Sequence, residues 1–556
     1  MTGQEPRWSR RLLWATFLLL PPLVLWPMPR DGHRALLTLP SGEGAAHVWA
    51  LWAAWMERRP LLFHTRLVSW PDGVDVLPID PSNIPWVALG SLFGAAEAYN
   101  AIFLGGLLLM GVAGALLARA TGGAPWLGAL AAMTCPAFLA GTLRGATEQL
   151  AVGWVGIGLA LLLLAVKRGG RFRVLCAGLA MGACLWAGPY NGLWMAFLGC
   201  TVFVGLLLAR DPSAWRRALP AGLLAVGGAA PVLWAITHGF QVMQDDRFEG
   251  SAQILHARTL SAVRGGAIGV ADLLDPWVPA CFTGPFSDLS QTTYLGFAAL
   301  VAAGIAAFRH RALRPWIAGA VVAASVGLGP WVYLGRHLVE VGGRPVAGPA
   351  WFLMHLPQMG QITHWYRIAP VAGLLLVPLV SSWGRRRWAP LLGAILVADA
   401  LLLAPFPWPF PATPLPGHHL LEDLEPGGAI LEIPPSTQPD PPVGVWRNAG
   451  ALYQIEHRHP ITSTVMLLPK PASLGRVHDA LSGLRTGQGL RAWVVPELRA
   501  HDVRWLVLYT SYPSVAHPTF PVDLTECLGP PVARQVDTWL WDLAEAPIRD
   551  CPGRRR

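Results

Sequence analysis

Through the first 404 residues the chain alternates long apolar runs with short polar turns that carry clusters of arginine. A helix that crosses a bilayer needs about 20 mostly apolar residues at about 1.5 Å rise each. The runs at 11–28, 99–118, 124–141, 150–166, 173–188, 191–209, 218–237, 292–308, 314–334, 366–383 and 388–404 answer to that description. They predict an all-α polytopic membrane domain over 1–404 with about eleven transmembrane helices. Several runs are short or contain Pro and Gly, which a membrane bundle tolerates because neighbouring helices re-satisfy the freed backbone groups. The first run lacks a small-x-small cleavage site and is followed by many more runs, so it reads as a span and not as a signal peptide.

The charges orient the spans. With the N-terminus in the cytoplasm, every second turn is basic: Arg119; Lys167, Arg168, Arg171 and Arg173; Arg210, Arg216 and Arg217; Arg309, Arg311 and Arg314; Arg385, Arg386 and Arg387. That is the positive-inside pattern of a multi-pass protein of the cytoplasmic membrane, with the C-terminus outside. The opposite turns are short and nearly neutral, like Gly188-Pro189-Tyr190-Asn191, or long and mixed, at 29–98, 238–291 and 335–365. The cytoplasmic turns leave no room for a catalytic domain, so the expected place of function is the outer face, where the long loops lie.

From Pro405 the pattern changes. A Pro-rich linker, 405–416, precedes a segment, 417–556, that reads as a small extracytoplasmic α/β domain. Ala429–Ile433 is a short apolar strand stopped by two prolines, Arg504–Tyr509 is a second, and Gln535–Trp541 alternates as a half-buried strand should. The stretches 473–485 and 490–500 read as helices. This segment has no glycine-rich phosphate loop, nucleophile elbow or zinc signature, which favours a lid or docking module.

Composition sharpens the class. Charged residues are 13% of the chain, against about 25% in an average soluble domain. The net charge of +9 sits in the turns, with no basic stripe interleaved with aromatics, so nucleic acid is excluded as a partner and membrane lipid is expected. The seven cysteines show no metal-ligand spacing. Cys135, Cys176, Cys184 and Cys200 fall in apolar runs, whereas Cys527 and Cys551 fall in the outer segment, where a disulfide between them is compatible with the compartment.

The first outer loop is the most informative stretch. Residues 41–55 read as a helix beginning near Gly44, with Trp49, Trp52 and Trp55 predicting an aromatic face at the membrane–water interface. Glu43 and His47 stand four apart and share a side. A catalytic reading makes Glu43 a base with His47 as its orienting partner; a structural reading makes Glu43 a first-turn acid stabilised by the helix dipole. His64 follows, and then Asp80 before Pro81, where a helix cap is the plain alternative to a catalytic role. Glu148, in the second outer turn, is expected to face protein or water, since a carboxylate facing lipid is costly.

Three features resemble the clan C (GT-C fold) membrane glycosyltransferases, multi-spanning enzymes that use polyprenyl-phosphate sugars. They are Glu43 with His47, Trp49 and Trp52 just after the first span; a Pro-x-Gly loop leading to Tyr99-Asn100; and Tyr453-Gln454 with His459-Pro460-Ile461, followed by Val503–Val507. The resemblance covers most of the chain in layout and extends to the bacterial branch with an extracytoplasmic C-terminal domain. It implies sugar transfer from a polyprenyl-phosphate donor to a glycan, lipid or protein acceptor of the envelope, with inversion, and it puts Glu43 at the position of the family's presumed catalytic carboxylate. Arg258 or Arg264, His364 and Arg367 are candidates for holding the departing phosphate, with Glu148 and His64 as further substrate contacts; a snorkelling interfacial role is the alternative for Arg367. Many members carry Asp, often in a two-acid motif, where this chain has Gly-Glu-Gly. No cofactor is required by the sequence, and the single acid weakens the case for a divalent metal. A non-catalytic relative that keeps the scaffold to bind a lipid or glycan is the alternative. A transporter would place ionisable residues at the midplane of interrupted, repeated helices, whereas here most acids lie in the outer loops.

Overall fold

The computed structural model describes residues 7–33, 35–37, 43–210, 212–244, 294–334, 337–356, 365–404, 408–414, 419–422, 424–433, 449–463, 472–484, 491–510, 520–535 and 538–548. The chain divides into two compact units. One comprises Met1–Arg30, Ile79–Asn83 and Ile102–Pro411; the other comprises Asp31–Pro78, Ile84–Ala101 and Ala412–Arg556.

The first unit is helical. Among the described residues, five helices are long and apolar enough to cross a membrane: Ala95–Thr121, Thr147–Arg168, Pro189–Leu208, Pro212–His238 and Trp365–Arg385. Phe297–Arg309 and Ala389–Leu403 are shorter apolar helices. The apolar run at 124–141 is not one helix: Pro125–Met133 ends at Thr134, and Pro136–Arg144 begins anew. Pro136 has no N–H to continue the ladder and disfavours helical backbone at Cys135 before it. The Thr134 hydroxyl closes the first piece by donating to the Leu130 carbonyl at 2.8 Å.

Ala369–Ser381 forms the centre of this unit. All of its residues are buried, and helices Arg314–Gly327, Phe297–Arg309 and Pro125–Met133 pack on it. A helix apolar on every side is stable only when covered on every side. Elsewhere small residues set the spacing. Helices Ala95–Thr121 and Pro125–Met133 cross at Gly114 and Gly128, where a Cβ on Gly128 would lie 2.5 Å from the Gly114 carbonyl oxygen. Such backbone contact gives dispersion energy that larger side chains would forbid.

A buried acid closes one helix end. The Asp399 carboxylate accepts from the Ala298 N–H at 2.7 Å and from the Tyr294 hydroxyl at 2.6 Å, and the Tyr294 oxygen accepts from the Phe297 N–H at 2.8 Å. Helix Phe297–Arg309 follows Gly296, which has no side chain to cap it, so Asp399 satisfies its orphan donors from a distant part of the chain.

The second unit holds a four-stranded sheet in the order Ala533–Arg534, Thr538–Asp542, Val503–Tyr509, Ala429–Ile433. Val503–Tyr509 is antiparallel to Thr538–Asp542 and parallel to Ala429–Ile433. Its run of buried apolar residues matches a strand covered on both faces. Helices Gly475–Leu484 and Val494–Ala500 follow the predicted stretches closely. The segment before residue 79 contributes to the same unit: Ala35–Leu37 pairs antiparallel with Ala412–Pro414, and Phe63–Thr65 pairs with Val74–Val76. Cys527 is disulfide-bonded; Cys551 lies outside the described residues.

Gly114→Ala places a methyl against the Gly128 backbone and is expected to cost about 1–3 kcal/mol of overpacking. Gly205→Ala, with nothing within 4 Å of the added carbon, should be neutral. Thermal unfolding of the two detergent-solubilised variants checks the difference.

Candidate functional site

Four segments of the helical unit bring polar groups together at one buried place. The first is Asp80 with the turn Pro81–Asn83. Asp80 is 1% exposed, and its carboxylate accepts from the Asn83 amide at 2.8 Å. The same Asn83 nitrogen donates to the Thr147 carbonyl at 3.0 Å, which ties this turn to the second segment, Thr147–Leu150. There Glu148, 3% exposed, forms an ion pair with Arg367. The third segment is the turn before helix Pro189–Leu208. Asn191 donates to the Glu148 carbonyl at 2.7 Å and to the Ala187 carbonyl at 2.7 Å. Gly188 has φ +126, and a Cβ there would stand 3.0 Å from that of Glu148, so only glycine lets the turn approach so closely. The fourth segment is Trp365–Ile368, whose Arg367 guanidinium lies 5.0 Å from the Tyr190 ring centroid. Trp194 and Trp365, with ring centroids 6.4 Å apart, wall the same region.

The chemistry of this cluster is that of a held cation beside held carboxylates. Removing charges from water costs several kcal/mol per ion, so a buried Glu–Arg pair persists only with good geometry and further hydrogen bonds. Here the Asn191 bond fixes the Glu148 backbone, and Tyr190 offers its ring face to the guanidinium.

The other predicted residues divide as follows. Glu43 heads helix Glu43–Met56; its side chain lies outside the described ones, as do Arg258, Arg264 and His364 altogether. His47 is buried in the second unit at 7% exposure. His64 lies on the hairpin of that unit with its side chain 53% exposed, and its Nδ1 stands 3.1 Å from the Asp75 carboxylate. It is a surface pair, and such pairs contribute little. The expected interfacial face of tryptophans is not formed: Trp49 and Trp52 are buried, and only Trp55 is exposed. Trp49 turns inward because its indole N–H donates to Gln454 at 2.6 Å. Gln454 in turn donates to the carbonyls of Leu67 at 2.5 Å and His459 at 2.7 Å. Tyr453-Gln454 and His459 therefore organise the second unit internally. Among the described residues, no group of three or more His, Cys, Asp or Glu could hold a metal ion.

No protein-family model matches the sequence, and no curated protein matches it. Solved structures do. The arabinofuranosyltransferase AftD from mycobacteria superposes with a TM-score of 0.51 at 15% identity, over 98% of this chain and 40% of that one. A mutant of the same enzyme gives 0.50 at 15% identity, over 98% and 42%. The chain thus spans less than half the length of AftD. ArnT from Cupriavidus metallidurans, solved with undecaprenyl phosphate, aligns over 96% of this chain and 98% of that one at 15% identity, with a TM-score of 0.42.

This is a GT-C-type fold.

Within the GT-C-type fold, Asp80, Glu148 and Arg367 are candidates that the sequence singles out, whereas what joins them is not visible there. Asn83 and Asn191 are the linkers, and Asn191 stands in a turn that reads as short and neutral. A buried asparagine at a helix start is a weak sequence signal, because the same residue serves equally well as an exposed cap. Glu432 was missed as well. It reads as one polar position in an apolar strand, yet it is fully buried in the second unit, accepts from the Tyr509 hydroxyl at 3.2 Å and packs against Gly450. Burial raises its carboxyl from 4.5 to about 7. His457 shifts the other way, from 6.5 to about 3, through burial and then the neighbouring His459.

These shifts set a pH dependence for the second unit. A carboxyl raised on folding contributes stability that is complete below pH 4.5 and is lost as pH rises through about 7, roughly 3 kcal/mol in all. A histidine lowered on folding contributes stability that is complete above 6.5 and is lost as pH falls toward about 3. Glu432→Gln removes the first effect. At pH 8 it should unfold at a higher temperature than the wild type, and the gap should close toward pH 4.5. Tryptophan fluorescence melts across pH test this.

Proposed function

We propose that the chain is a membrane glycosyltransferase that moves a sugar from a polyprenyl-phosphate donor to an envelope acceptor at the outer face of the cytoplasmic membrane, with inversion. In this reading about eleven spans carry the helical unit, the N-terminus is cytoplasmic and the C-terminal segment is extracytoplasmic. What carries the proposal is the buried group of Asp80, Asn83, Glu148 and Arg367 inside a fold shared with an arabinofuranosyltransferase. A purely structural bundle has little use for two buried acids and an arginine in an apolar interior.

The acceptor hydroxyl is a poor nucleophile until a carboxylate takes its proton. Glu43 fills that role with His47 as its orienting partner, and Asp80 is the alternative base. The acceptor oxygen bonds to the anomeric carbon, the bond from that carbon to the phosphate oxygen breaks, and the lipid phosphate leaves with the electron pair. One displacement inverts the centre. Arg367, a guanidinium with five donors, takes up the phosphate charge, and Glu148 keeps it aimed. Arg258 and His364 add to the same charge.

The test compares strains lacking the chain with strains complemented by wild type or variants, using mass spectrometry of lipid-linked sugars and envelope glycans. Loss of the chain should accumulate a polyprenyl-phosphate sugar and remove one sugar from a glycan. Glu43→Gln and Asp80→Asn, at normal membrane levels, should lower transfer by about 10²–10⁴-fold for whichever carboxylate is the base. Arg367→Lys, which cannot bond two phosphate oxygens side by side, should be partly active. Full transfer by both carboxylate variants overturns the reading.

A further inference from the structure

Two basic turns of the helical unit meet. The segment 167–173 carries Lys167, Arg168, Arg171 and Arg173; the segment 210–217 carries Arg210, Arg216 and Arg217, with Asp211 as its acid. Asp211 lies outside the described residues. The turns meet because the helices leading from them are lined with small residues. Leu162, Ala165, Ala177, Ala218 and Ala221 form one buried cluster, and a Cβ on Gly178 would stand 2.9 Å from the Ala221 carbonyl. Backbones that close bring their ends close too.

The result is a crowding of like charge. The Arg217 guanidinium is 3.3 Å from where a Cβ on Gly169 would be, and that of Arg173 is 3.6 Å from the corresponding point on Gly170. The two cations therefore sit over consecutive glycines, whose Cα atoms are about 3.8 Å apart. Arg173 donates to the Gly169 carbonyl at 3.0 Å, and Arg217 donates to the Ser213 carbonyl at 2.9 Å and hydroxyl at 2.8 Å. Among the described residues neither forms an ion pair. Each guanidinium keeps donors beyond those bonds, and an anion between them would relieve their repulsion.

Beside the charges runs an apolar stripe. Phe172, Leu175 and Leu179 are 77%, 42% and 56% exposed, and their spacing puts them on one side of helix Arg171–Trp186. A soluble anion has no use for such a stripe, whereas an acyl chain does.

We propose that these two turns form a binding site for an anionic phospholipid, its phosphate gripped by Arg173 and Arg217 and an acyl chain laid along Phe172, Leu175 and Leu179. General attraction of basic turns to a charged membrane would spread over every cation at this end of the bundle. A site concentrates in these residues.

The experiment is native mass spectrometry of the full-length protein released from lipid nanodiscs containing phosphatidylglycerol or cardiolipin, with phosphatidylcholine as the neutral comparison. Wild type should retain the anionic lipids. Arg173→Gln with Arg217→Gln removes the charge-assisted bonds to the phosphate and should lower retention by at least about tenfold. Arg385→Gln with Arg386→Gln, which removes the same charge from another basic turn, should leave retention unchanged. Phe172→Ala with Leu175→Ala keeps every cation and should also weaken retention, so the site is testable even where the first pair fails to fold. Equal loss in both arginine pairs, retention that no variant alters, or displacement of the lipid by millimolar inorganic phosphate overturns the proposal.

Discussion

The ion pair of Glu148 and Arg367 holds opposite charges inside an apolar packing of helices, and much else in the helical unit follows from having to accommodate it. Charges in such a place must be paired, and the pairing fixes geometry: Gly188 has to be bare, Asn191 has to reach back, and Asn83 has to bind the turn that bears Asp80 to the same helix. The apolar helices supply the rigidity around this knot, with Ala369–Ser381 buried throughout. Asp399 obeys the same rule elsewhere in the unit, its oxygens occupied by Tyr294 and a helix terminus.

Periodicity and apolar length made the helices legible because burial of a whole helix leaves a plain mark: long runs without charge. The break at Pro136 was less legible, since an apolar run with a proline inside it reads equally as a kinked single helix. Strands Ala429–Ile433 and Val503–Tyr509 were legible because a covered strand is a short apolar run bounded by turn residues. The tryptophans of helix Glu43–Met56 misled. A spacing of three places Trp49 and Trp52 on one face but does not say whether that face meets lipid or protein, and the deciding hydrogen bond is the one Trp49 donates to Gln454, far along the chain.

The candidate site was half legible for the same reason. Charged residues in apolar surroundings announce themselves, and Asp80, Glu148 and Arg367 did so. Amides that connect them do not, because Asn is common in turns of every kind. Contacts between distant segments are invisible until the chain is folded, which is how the pairing of Glu148 with Arg367 escaped notice while both residues were singled out.

The interleaving of the second unit bears on how the protein is made. Strand Ala35–Leu37 and helix Glu43–Met56 leave the ribosome early, yet the strand partner is Ala412–Pro414 and the indole of Trp49 is held by a glutamine 405 positions later. The first of these segments must wait, its partners unmade, while nearly the whole helical unit is synthesised behind it. Nascent chains arrested before residue 412 would therefore carry that segment without the strand partner it has in the finished protein.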